Sequence, residues 1–148
     1  MVMVIALAAC APRGDFTMAT GGSGTATPEA IFVGTSRLAG EGGFGRERSV
    51  TPSFLRYDIA IPPDREPGEL NWPPRTRRPD ANRDFLTLAE TQFADAGAFS
   101  AALADAMRLR GQTDAVVYVH GFNNTMAEGV YRVAQMHRHL QMPGVAVH

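Results

Sequence analysis

The stretch Asp114 to Glu128, DAVVYVHGFNNTMAE, constrains this chain more than any other. Ala115 to Val119 is apolar and mostly β-branched or aromatic, the composition of a strand buried on both faces of a parallel sheet. The run stops at His120-Gly121. Phe122-Asn123-Asn124 then sets two turn formers beside one aromatic. Thr125-Met126-Ala127-Glu128 has the S/T-x-x-E spacing of a helix capping box, with Thr125 as the cap and Glu128 reaching back. The segment is therefore expected to be strand, tight Gly turn and helix.

A strand that ends in Gly and feeds a helix N-terminus leaves unpaired backbone N–H groups facing a crevice at its carboxyl end. Anions and oxyanions are stabilised there.

The surrounding chain supplies an α/β rhythm. Ala30 to Val33 is a short strand candidate that breaks at Gly34, after which Ser36 and Arg37 read as a hydrogen-bonded turn, with a pocket edge as the alternative. Gly40 to Ser53, rich in Gly and Arg, reads as an exposed loop. From Leu55 onward the pattern alternates, placing Leu55, Tyr57, Ile59 and Ile61 inward until Pro62-Pro63 end the strand. Asp64 to Asn82 is a Pro-rich irregular connection. Its Arg75, Arg77 and Arg78 read as a solvated surface, the alternative being a clamp for an anionic substrate.

Phe85 to Ala89 is a third strand. Asp95 to Arg110 is a helix with Phe99, Ala102, Leu103, Ala106 and Met107 on one face. A second helix begins at Met126, with Val130, Val133, Ala134 and His137 on one face, and a last strand is expected at Val145 to Val147. Alternating strands and helices imply parallel pairing with right-handed crossovers. The sheet is expected to end at Val145–Val147, leaving an apolar edge.

Four blocks together, IFVGTSR from Ile31, YDIAIPP from Tyr57, NWPP from Asn71 and VHGFNNTMAEGVYRVAQ from Val119, make the chain resemble the α/β-hydrolase superfamily over roughly residues 30–148. Within it the similarity is to an esterase/lipase-like bacterial branch of poorly characterised function. The resemblance implies an incomplete α/β-hydrolase-like sheet, with N-terminal strands followed by βαβαβ. It also implies an oxyanion hole half carried by His120, Gly121 and Phe122, in which the backbone N–H of Phe122 is the donor. The His120 ring would hold the loop by hydrogen bonds, or else simply cap the strand end.

The superfamily's nucleophile sits on a Gly-x-Ser-x-Gly elbow that follows the oxyanion turn and precedes an acid and a histidine. None of the five serines, Ser23, Ser36, Ser49, Ser53 and Ser100, has Gly both two residues before and two residues after it, and all precede the turn. His148 lies too early to be the base. Nucleophile, acid and base are thus all absent, and the chain is expected to be the N-terminal part of an ester hydrolase, inactive alone. A non-catalytic envelope lipoprotein or binding module is the alternative.

At the N-terminus, MVMVIALAAC ends in Leu7-Ala8-Ala9-Cys10, which resembles a bacterial lipobox. In that resemblance residues 1–10 are a signal and anchor segment and Cys10 carries the lipid, which would place the protein on the bacterial envelope. Alternatively Cys10 is a buried apolar residue of a cytoplasmic protein. Residues 11–29, with the run TGGSGTATP, read as a flexible linker, leaving 30–148 as the folded part.

A net charge of −1, with 14 arginines and no lysine, gives no reason to expect a nucleic-acid partner. No cofactor is implied. His137 and His139, two apart on a helix, face different sides and cannot share a metal ion.

Overall fold

The structure, a computed structural model, describes residues 14–21, 24–41, 43–63, 65–66 and 68–148. Strands β1 (Thr27–Gly40), β2 (Gly43–Ile61) and β3 (Leu86–Phe93) come first, followed by α1 (Ala96–Leu109), β4 (Ala115–Val117), α2 (Met126–His139) and β5 (Val145–Val147). They form one five-stranded sheet in the order β3-β2-β1-β5-β4. β2 runs antiparallel to β1 and β3, whereas β5 is parallel to both β1 and β4. This is an incomplete α/β-hydrolase-like sheet.

The main core lies between the sheet and α2. Alternation along β1 and β2 sends Ile31, Val33, Leu55, Tyr57, Ile59 and Ile61 to one face, where they meet Met126, Val130, Tyr131, Val133 and Ala134 of α2. The other face carries Phe32, whose ring packs on Phe93 and Phe99, so α1 covers that side. The apolar face expected for α1 is the one turned inward, yet none of its residues is fully buried.

Several elements differ from the sequence expectation. Gly40 to Ser53 is not a loop: β1 and β2 continue as a paired ribbon, with Ala39 opposite Phe44 and Arg37 opposite Arg48. A hairpin ladder needs only its own backbone hydrogen bonds, so this ribbon projects into solvent without the apolar alternation by which a strand is recognised. Ser36 and Arg37 accordingly lie in β1 rather than in a turn.

β4 is not buried on both faces. It is the edge strand, with Val117 66% exposed and Val119, two residues past its end, 83% exposed, because α1 packs over β2, β3 and β5 instead of over β4. Conversely β5, expected at the edge, is internal. The β4–α2–β5 crossover inserts it between β4 and β1, which buries Val145 and Ala146 completely.

Residues outside the regular elements also pack. Within the segment expected to be a linker, Phe16 stacks on Tyr57 (centroids 4.4 Å apart), and Thr17 and Ala19 exchange backbone hydrogen bonds with Thr87. In the Pro-rich connection, Trp72 stacks on Tyr131, and Arg77 forms a two-pronged pair with the buried Asp84 carboxylate (2.7 and 2.6 Å). Arg77 is thus engaged in holding its own loop, while Arg75 and Arg78 stay exposed.

Candidate functional site

The ladder between β4 and β5 ends where the Tyr118 N–H donates to the Val147 carbonyl (2.8 Å), and the chain then leaves the sheet. Its turn reverses at Asn123, which takes a left-handed φ of 66°. Asn tolerates that conformation better than most side chains. Gly121 has no left-handed φ, and a Cβ placed on it would meet nothing within 4 Å. The turn closes onto a complete capping box, in which Glu128 N–H donates to Thr125 Oγ1 (3.1 Å) and Thr125 N–H to Glu128 Oε2 (2.7 Å). The same two side chains bind the backbone of Gly14, so the helix start is clamped from outside as well.

Arg37 fixes the turn from the side. Register shifts flank it in β1, and such bulges re-aim side chains next to functional sites. Its guanidinium donates to the Gly45 carbonyl (3.1 Å), the Asn124 carbonyl (2.7 Å) and His120 Nε2 (3.0 Å). A guanidinium only donates, so Nε2 is the acceptor and the ring proton sits on Nδ1. The His120 ring therefore does hold a hydrogen bond across the turn, though as acceptor from β1.

Behind His120 its ring stacks on His148, centroids 5.0 Å apart and planes within 10°. His148 Nε2 is buried without a hydrogen-bond partner among the described residues. The Nε2 edge of the ring abuts α2 at Gly129, where any Cβ would overlap it. Burial, then Arg37, lowers the His120 pKa, and burial, His120 and Arg37 push His148 down to about 4. Both imidazoles are neutral at pH 7.

In front of this stack is a groove of about 490 Å³ lined by residues 34–37 of β1, Arg46 and Arg48 of β2, and residues 120–124. His120, Gly121 and Phe122 thus share one wall. The Phe122 side chain is fully exposed, and its backbone N–H has no hydrogen bond among the described residues. Ser36 also lines the groove but is not hydrogen-bonded to either histidine among those residues. Cys10 and Ser23 lie outside the described residues. His137 is buried against Glu29 (3.4 Å), whereas His139 is exposed. The sequence offers Arg37 only as the alternative of a pocket edge, and sets His148 aside as a base. They meet His120 only through the β1–β5–β4 order, and no local spacing announces that.

Residues 95–148, from the N-cap of α1 through the turn to β5, match the model of a family described as alpha/beta hydrolase of unknown function (DUF900). The match supports a likeness of residues 95–148 to the α/β-hydrolase superfamily. The match takes in the capping box, the turn and both histidines of the stack, whereas Arg37, Arg46 and Arg48 lie outside it. No curated protein and no solved structure matches the chain significantly. In a hydrolase of this superfamily the strand-to-helix crevice at the carboxyl end of the parallel strands is where the reacting group sits.

Proposed function

We propose that these residues supply the oxyanion-stabilising turn of a serine hydrolase acting on carboxyl esters, with the Phe122 N–H as donor and Arg37 and the His120–His148 stack as its support. These 148 residues hold no Gly-x-Ser-x-Gly elbow. The observation that carries the proposal is a backbone N–H without a hydrogen-bond partner among the described residues, at the end of a parallel strand, held by a hydrogen-bonded scaffold. An oxyanion donor must already be in place when charge develops, because reorganising it during the reaction would consume the stabilisation it gives. Here Arg37 and the capping box fix the two ends of the turn. Gly121 leaves the approach to the Phe122 amide clear of side-chain atoms.

The test is to express the longest reading frame that contains these residues and to treat it with a fluorophosphonate, which phosphonylates an activated serine. Labelling is expected, with loss when the elbow serine is changed to Ala. Phe122→Pro, which deletes the N–H without removing a packed side chain, should slow ester turnover about 10²–10³-fold. An unlabelled, well-folded product would overturn the assignment, as would a Phe122→Pro variant with undiminished kcat.

A further inference from the structure

We infer that the groove recognises a substrate carrying an anionic group, carboxylate or phosphate, bound by Arg46 and Arg48 beside the ester. This rests on the proposed oxyanion turn for its position in the reaction. Arg46 and Arg48 are two apart on β2, so both project from the same face of the ribbon, toward the groove that the turn also lines. Arg48 stands directly opposite Arg37 across the ladder. Like charges in directly opposed positions destabilise a strand pair, so the ribbon bears a cost for holding three guanidinium groups together.

Among the described residues no carboxylate offsets that cost. None lines the groove, and neither Arg46 nor Arg48 forms an ion pair among the described residues. Asp15 lines an adjoining depression with Arg37 and Arg46 but pairs with neither. Arg37 is committed to Gly45, His120 and Asn124, which leaves Arg46 and Arg48 with their donors available. A groove of about 490 Å³ falls within the roughly 300–1,000 Å³ of small-molecule sites. Positive lining without internal compensation, next to an exposed backbone donor, fits an ester whose remote end is an anion.

The experiment titrates the 148-residue chain with monomethyl adipate, phenyl phosphate and neutral dimethyl adipate, following the Arg Nε–H and Phe122 N–H resonances. At least one anion should bind ten-fold or more tighter than dimethyl adipate, shift Arg46 and Arg48, and weaken with added salt. The anion that does so tells carboxylate from phosphate. The double variant Arg46→Gln/Arg48→Gln should lose that preference while its Tm stays level or rises by about 1–3 °C from relief of the opposed charges. Equal affinity for charged and neutral ligands overturns the inference, as does anion binding that survives the double substitution. A double variant that melts below the parent would assign the two arginines a structural role instead and also overturn it. Shifts at the arginines without one at Phe122 would leave the anion site standing and remove the oxyanion assignment, so the two failures are distinguishable.

Discussion

Arg37 on β1 donates 3.0 Å to the Nε2 of His120 and 2.7 Å to the carbonyl of Asn124, spanning the turn from its first ring to its last peptide. One side chain from a distant strand thus sets both ends of the segment that carries the exposed Phe122 amide. Arg37→Met keeps much of the aliphatic stem and removes every donor. We expect it to cost about 1–2 kcal/mol, since hydrogen bonds from a charged donor are worth more than neutral ones but this one is partly solvated. Two local readouts separate the effect from general destabilisation. Amide exchange over 121–124 should accelerate, and the His120 pKa, now held down by burial and then by Arg37, should move up. A variant with unchanged exchange and an unchanged imidazole titration would show that Arg37 does not position the turn.

The buried His148 makes stability depend on pH with a fixed sign. Its pKa is about 4 in the folded chain, against about 6.5 when unfolded. Between those values the unfolded state binds more protons, so stability falls as pH drops from 6.5 towards 4 and is flat above 6.5 on this account. The full loss is roughly 3 kcal/mol, and His120, also lowered, acts in the same direction. Carboxylates titrate near the lower end, so the informative quantity is the difference between parent and His148→Phe in urea melts at pH 7.5 and 5. The parent should lose distinctly more stability than the variant over that interval. Equal losses would mean that His148 is not buried in its neutral form.

Much of the fold was legible because its signals are local. The capping box at Thr125 and Glu128, the inward face of α2, and the alternation from Leu55 to Ile61 all depend on neighbours within a few residues, and the structure has them in place. Strand order is different. Ala115–Val119 is apolar enough for a central strand, yet β4 is at the edge and the shorter Val145–Val147 is internal, because neighbour identity follows from how the crossover folds back. The same limit hid the site. His120 was visible as the residue ending a strand, but Arg37, 83 positions earlier, joins it only once β5 has been inserted between their strands. The ribbon escaped notice because its residues satisfy each other's backbones while burying little.

Cys10 carries a proposal that the fold does not address, namely that it is the lipid-modified residue following Leu7-Ala8-Ala9. In a bacterial host, radiolabelled palmitate should enter the protein and the chain should sediment with membranes. Cys10→Ser should abolish both, since only the thiol forms the thioether. Label that persists in the serine variant, or a parent protein free of label, would remove the anchor.

Gly129 offers a test in which a sign is predicted rather than a size. Inside an α-helix, Gly→Ala normally stabilises by about 1 kcal/mol. At Gly129 the new methyl would run into the His148 ring, which is itself wedged against His120 and has little room to yield. Overpacking of this kind costs about 1–3 kcal/mol, so it should outweigh the propensity gain and make Gly129→Ala destabilising. In a His148→Ala background the obstruction is gone. The same Gly129→Ala change should then stabilise by about 0.5–1 kcal/mol, and the double-mutant cycle should return a coupling of about 1–3 kcal/mol. The His120 environment reports independently, because the ring stack is disturbed only when the methyl and the His148 ring are both present. If Gly129→Ala stabilises the parent as well, the imidazole does not rest on the helix at that position, and the neutral stack behind the turn would have to be abandoned as its support.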